Sequence, residues 1–518
     1  SVLGSDQLIH YSMVAGERAL GSYAHERALD YFEMALDHSP ERDVRARILE
    51  RRGKLRLSLF EGEPALKDFQ ELHGIAREVN DKPLELEALI GQGSAYYIIS
   101  LENPDAGPKT RDFFEQAYAL ADQLGDKKGK VRALLPTRWL TDYWPEYAEQ
   151  AKANTEEAVA LSLELGNEFL IMESEMAAVK FADGADALAQ AEEITTKLQA
   201  TRDLLRLKEH YFAMMWLTRS EGQFERSVQI CNMGIELASQ LRMLPVQYPT
   251  IKSLALLDLG RFGEAYESAQ QEVSDEEHPF GRANRDLATC LYLEEIMAFD
   301  RAEESLGRVI QQIIGVSRTW MLRLAIRSLA KVLIAQGRWD ERAQRNIEQH
   351  VGTLGIGIAI DIRTEIALAE GRFDDAMALA EQATGMLLDH LGDDIQRTNQ
   401  HKDRGSVIAA ELNLRVLLAL KRYQDVIDLA DEAVTTANEM DFQIMLWRIH
   451  ASRAVAHEML GDAEKAAEDQ QAAASILRQL AESISDPELR SGFIASSQVA
   501  PILTGQPARL PHLTSGDT

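Results

Sequence analysis

One short turn recurs along this chain and constrains its fold more than any other feature. It reads Gly, a polar residue, an aromatic, two further residues, then a small side chain. Copies stand at Gly222-Gln223-Phe224 with Ser227, at Gly260-Arg261-Phe262 with Ala265, and at Gly371-Arg372-Phe373 with Ala376. Looser copies are Gly337-Arg338-Trp339 with Ala343, Lys421-Arg422-Tyr423 with Val426, and Gly461-Asp462-Ala463 with Ala466. They recur at roughly 34–50 residues, with one doubled interval whose weak middle copy falls near Asp300-Arg301-Ala302. The text between them has helical periodicity. The physics is specific. The Gly ends one helix in a left-handed conformation, the aromatic wedges between that helix and the next, and the small residue lets the two backbones approach. One such pair cannot bury its apolar stripe alone, so neighbouring pairs must stack.

Composition agrees. At 518 residues the chain is too long for one compact core. Strong helix formers dominate, aromatics are 7%, and there are 14 prolines. The net charge of −28, from 83 acidic and 55 basic residues, excludes nucleic acid and anionic membrane as main partners, since both need a cationic surface. Cys231 and Cys290 are far apart in apolar helical text, which excludes a disulfide framework and reads as two buried core residues. No apolar run approaches the ~18 residues of a spanning helix. Ser1-Val2-Leu3-Gly4 shows no basic or long apolar leader, so the expected compartment is the cytoplasm, and the chain is expected to be cut from something longer.

The first repeat carries a family resemblance. Gly16, Ala28, Phe32, Ala35 and Pro40 fall at the small, small, large, small and terminating positions of a tetratricopeptide repeat (TPR). The chain therefore resembles TPR proteins, which implies an all-α, TPR-like helix-pair solenoid wound as a right-handed superhelix. The expected array covers 1–484, with about 11–12 helix pairs. It is degenerate at 81–203, where Gly125-Asp126 and Gly166-Asn167 read as helix stops. Residues 485–518 are expected to be a mostly irregular or disordered extension. Loops are expected at Leu101 to Lys109, which holds Asn103-Pro104 and Gly107-Pro108, and at the polar stretch Asp393 to Arg404. Two further stretches, His10 to Leu36 and Ile484 to Ser496, resemble the edges of the TPR region in large bacterial signalling proteins. Those carry an AAA-like or STAND-type ATPase, often with an adenylate cyclase, kinase or MalT/LuxR-like module. The resemblance implies a C-terminal sensor and interaction region.

Catalytic motifs fail on inspection. Gly125-Asp126-Lys127-Lys128-Gly129-Lys130-Val131 is one residue short of a phosphate-binding loop, lacks the hydroxyl and follows a helix. His457-Glu458 and His25-Glu26 lack the second histidine of a zinc protease. His450 and His457 share a helix face without a third ligand and read as a packing or surface pair. Gly355-Ile356-Gly357 lacks a third Gly and a preceding strand. Adjacent carboxylates such as Glu192-Glu193, Glu294-Glu295, Glu303-Glu304 and Asp374-Asp375 point about 100° apart on a helix and read as solvated faces. No enzyme, cofactor or metal is expected.

Binding chemistry remains. Arg323, Arg327 and Lys331 recur at every fourth residue on one helix beside Trp320, and Arg363 opens the next groove-lining helix. Arg45, Arg52 and Arg56 share a face near the start. Basic side chains converging in a groove can clamp a carboxylate or phosphate, so an acidic peptide, a protein or an anionic small-molecule effector is the partner class. The competing reading is ordinary pairing with neighbouring Glu and Asp. Trp139 and Trp144 read as packing, with partner anchoring the alternative. The expected function is a protein-interaction or ligand-sensing scaffold, the regulatory region of a larger signalling protein. The alternative is a stand-alone assembly adaptor or self-associating scaffold. The oligomeric state is not legible.

Overall fold

The computed structural model describes residues 5–506, except 23, 40, 101–105, 143–146, 183, 202, 244, 246, 272–278, 317–318, 340–344, 346–355 and 390–401. Expectations that fall on those stretches, and on 507–518, concern residues outside the described set. The architecture is an all-α, TPR-like solenoid of antiparallel helix pairs wound as a right-handed superhelix. No strand occurs among the described residues.

The first third comprises α1 (Ser5–Gly21), α2 (His25–Asp37), α3 (Arg42–Ser58), α4 (Gly62–Glu78), α5 (Lys82–Ser100) and α6 (Gly107–Leu124). The degenerate stretch continues as α7 (Lys127–Leu134), a 3-10 segment (Leu135–Asp142), α8 (Ala148–Leu165), α9 (Glu168–Ala178) and α10 (Gly184–Thr201). Then come α11 (Leu204–Ser220), α12 (Phe224–Gln240), α13 (Tyr248–Asp258), α14 (Phe262–Ala269), α15 (Pro279–Glu295), α16 (Phe299–Val316) and α17 (Thr319–Ala335). The last third holds α18 (Ile356–Ala369), α19 (Phe373–Asp389), α20 (Arg404–Ala419), α21 (Tyr423–Glu439), α22 (Gln443–Met459), α23 (Ala463–Ser483), α24 (Pro487–Ala495) and α25 (Val499–Leu503).

The turn signature does what its chemistry demands. Gly222, Gly260, Gly337, Gly371 and Gly461 all take positive φ, between 65° and 84°, and Lys421 does the same at 58°. Phe224 and Phe262 are almost fully buried, and Ser227, Ala265 and Ala376 completely so. The weak middle copy lies where expected: Met297 holds φ 59° in the place of Gly, Phe299 opens α16, and Ala302 is the buried small residue. In the first repeat, a Cβ on Gly16 would lie 2.7 Å from the Phe32 ring, so the glycine lets α1 and α2 close.

Two expected loops give way to helix at their C-terminal ends, most of each lying outside the described residues. Gly107 and Pro108 start α6, because Pro without an N–H fits the first helical turn. Arg404 opens α20 behind an Asp403–Ser406 capping box. At the C-terminal end, α24 and α25 occupy part of the segment expected to be irregular, burying Phe493, Val499 and Ile502. The helix stops at Gly125 and Gly166 hold, both left-handed C-caps, followed by Asp126 and Asn167 as N-caps.

The apolar interior is unequally divided. One core holds α1 to α5, smaller clusters follow over α5 to α9 and over α18 to α20, and the largest core draws on residues from Val179 to Ile502. That span has a cause. The superhelix returns on itself, so α11 packs on α20, α13 on α22 and α14 on α23. Phe224 meets Phe442 edge-on at 4.9 Å, and Phe262 meets Phe493 at 6.1 Å. Two superhelical turns are thus joined along an aromatic seam.

Candidate functional site

Closure of the superhelix makes a cavity on its inner side. Its volume is about 90 Å³, and it is about half open to solvent. Five groove-side segments reach it: the end of α15 (Glu294), α17 (Lys331, Ile334), α18 (Glu365), α20 (Glu411, Arg415) and α22 (Met445, Trp447, Arg448), with Phe299 and Gln498 at its edge. Its lining alternates apolar surface with charge.

The charges are paired across helices. Arg448 Nη2 donates to Glu295 at 2.7 Å, joining α22 to α15 across 153 residues of chain. Its other fork donates to the Ile444 carbonyl of its own helix, and its guanidinium lies 5.0 Å from the Trp447 ring. Arg415 donates to both Glu365 oxygens, at 2.6 and 2.8 Å, and lies 3.0 Å from Glu411. Lys331 Nζ is 3.6 Å from Glu294.

Electrostatics follow from this crowding. Burial works to raise the pKa of Glu295, but Arg448, Lys331 and Arg327 outweigh it and hold the carboxyl below its usual range. Burial likewise opposes the charge on Arg415 and Arg448. Glu365 and Glu411 reverse that for Arg415, and Glu295 with Glu411 for Arg448, so both stay firmly cationic. Keeping these ions from water carries a desolvation penalty that an apolar core would avoid. The arrangement is therefore costly unless the surface has a use.

Lys331 is the predicted site residue that lines the cavity. Arg327, on the same face of α17, is half-buried and close enough to act on Glu295. Arg363 is exposed and is not among the lining residues. Arg323 and Trp320 belong to α17, but their side chains lie outside the described set. Glu294-Glu295 is not the solvated face expected of it: both side chains are largely buried, because α15 ends where α17 and α22 converge. Sequence reasoning missed Glu365, Glu411, Arg415, Trp447 and Arg448. The usable signal was charge inside otherwise apolar helical text, as in Trp447-Arg448 and Glu411.

The other candidates resolve plainly. Arg52 donates two hydrogen bonds to the buried Asp68, at 2.6 and 3.1 Å, and Arg56 adds a third at 2.9 Å. Arg45 pairs with Glu71. The N-terminal arginine face is thus occupied within the chain. His450 Nδ1 lies 2.7 Å from Asp469, which Arg453 also grips, and His457 lies 3.9 Å away. Among the described residues no group of three metal-ligating side chains gathers. Trp139 stacks near Tyr97 with Arg138 and Lys180 over its ring, and Trp144 lies outside the described residues. Among the described residues, no helix is long and apolar enough to cross a membrane.

No family model matches the chain, and no curated protein matches its sequence. Solved structures give distant likenesses. A Rap protein complexed with competence and sporulation factor is 12% identical, with 85% of this chain and 99% of that one covered and a TM-score of 0.34. The Cut9–Hcn1 hetero-tetramer of the APC/C gives 12% identity, 96% and 96% coverage, and 0.35. The P58(IPK) TPR domain gives 11%, 96% and 98%, and 0.23. At these scores the overall courses do not superpose, and nothing about function follows from them.

Proposed function

We propose that this chain is a protein-interaction and ligand-sensing scaffold with no catalytic role, the regulatory C-terminal region of a larger bacterial signal-transduction protein in the cytoplasm. The observation that carries the reading is the charged cavity enclosed by helices of both superhelical turns. A ligand there touches α15, α17, α20 and α22 together, so its binding energy acts on how the turns sit against one another. An attached output domain would read that change. The N-terminal and C-terminal resemblances to STAND-type signalling proteins supply the larger context.

The partner is a protein, a peptide or a small effector with acidic groups. Lys331, which lines the cavity, would receive it, with Arg327 beside it on α17; Arg323, Arg363 and Trp320 are the further candidates. The charge of −28 sets nucleic acid and membrane aside. Calorimetric titration of the chain with acidic and neutral peptide pools tests this. Lys331→Glu and Arg327→Glu should weaken binding tenfold or more while Arg45→Glu leaves it unchanged. Equal binding by all variants would remove the groove assignment. A stable homo-oligomer whose interface fills the cavity would favour a self-associating scaffold.

A further inference from the structure

A second charged cluster lies on the seam and shares no residue with the cavity lining. Arg219 near the end of α11 and Arg404 at the start of α20 both reach Asp258, the last residue of α13. Arg219 Nε donates to one carboxylate oxygen at 2.8 Å, while Arg404 donates to both, at 3.0 and 3.1 Å. All three are well covered: Asp258 is 1% exposed, Arg219 12% and Arg404 24% at the side chain.

Two guanidiniums share one carboxylate, which leaves a positive charge over. The charged groups acting on Arg219 are Arg404 and Asp258, with the Cys231 thiol next. That thiol stays neutral, because burial pushes it up to about 12. Burial and the neighbouring Arg404 press the Arg219 pKa down to about 10, which Asp258 offsets only in part. Its two Nη groups make no hydrogen bond among the described residues. Arg404 sits in the first turn of α20 and Asp258 in the last turn of α13, each against the local helix potential. The Arg404 guanidinium lies 5.5 Å from the Phe442 ring, which helps fix its plane.

We infer that Arg219, Arg404 and Asp258 form a binding site for a small oxyanion of the phosphate type, and that its occupancy locks the two superhelical turns together. A guanidinium fork matches the spacing of phosphate oxygens. The two forks come from opposite sides of the seam, so the anion binds the closed form and stabilises it by mass action.

Thermal melting of the full chain in inorganic phosphate tests this, against sodium chloride of equal ionic strength. A saturable rise in Tm of about 2 °C or more is expected, absent in Arg404→Gln. In Asp258→Asn the phosphate replaces the lost carboxylate, so the rise should exceed that of the wild type, with a matching fall in the radius of gyration by X-ray scattering. If Asp258→Asn does not fold, the wild type and Arg404→Gln decide. No phosphate effect beyond chloride, or an equal effect in Arg404→Gln, overturns the site. An equal response to acetate overturns the phosphate assignment.

Discussion

The Ser483 hydroxyl accepts the Phe262 N–H at 3.2 Å, across 221 residues of chain. It also lies 3.0 Å from the Gly260 carbonyl. One side chain on α23 thus meets both polar groups of a turn that belongs to the previous superhelical turn. Helix-pair arrays owe their stability to nearest neighbours. This one adds contacts between non-neighbours.

Gly260 is one place where the seam leaves no room for a side chain. Its φ is 72°, and a Cβ there would lie 2.4 Å from Leu480 Cδ2 and 3.0 Å from Gln443 Cβ. Gly260→Ala is expected to destabilise the chain by about 2–4 kcal/mol, from left-handed strain and overpacking together. Urea unfolding measures the loss, and X-ray scattering should show a larger radius of gyration. The same substitution at Gly371, also left-handed but with nothing within 4 Å, should cost only the strain of about 1 kcal/mol and leave the radius unchanged.

Most of the repeat architecture was legible because its turns need a backbone conformation that glycine signals. The signal fails where another residue is forced into the same conformation. Met297, Phe60, Asn80, Arg242 and Asp441 all carry positive φ, and none announces a turn as Gly does. The stretch 81–203 reads poorly for a different reason: Gly125 and Gly166 end helices there, but Lys127 and Glu168 stand where the turn pattern has its aromatic. The seam and most of the cavity were not legible at all. Arg448 and Glu295 meet across 153 residues, Arg404 and Asp258 across 146, and no local periodicity encodes such distances.

Glu87 links α5 to its neighbours and should dominate part of the acid limb of stability. Burial works to raise its pKa, but Arg132 and Lys54 more than reverse this and hold the carboxyl at about 2. Its charge therefore favours the folded state fully above the ordinary carboxylate range. That contribution fades as pH falls through the range toward 2. The wild type should exceed Glu87→Gln by on the order of 2–3 kcal/mol at pH 7. The gap should narrow between about pH 4.5 and 2. Urea unfolding of both proteins across that range checks it, and a constant gap would contradict the assignment.

Both cysteines should be chemically silent in the folded chain. Cys231 and Cys290 are fully buried, and burial pushes each thiol up to about 12. The thiolate is the reactive form, so neither should react with Ellman's reagent at pH 8 over minutes. Both should react at once in 6 M guanidinium. Fast native labelling of either would show that the core around it opens far more readily than its packing implies.

The Arg448–Glu295 pair gives the cleanest measure of what the charged cavity is for. Removing one partner strands the other charge inside. Glu295→Met or Arg448→Met alone should therefore cost about 3–5 kcal/mol. Replacing both by Met removes the desolvation penalty as well as the attraction. The double variant should be close to wild-type stability or above it. Urea unfolding of the four proteins gives the coupling energy, which should be large and favourable to the pair. If the double variant is as stable as the wild type yet no longer binds a ligand identified for the cavity, the ion pair serves recognition. If it is the least stable of the four, the pair is a structural tie across the seam.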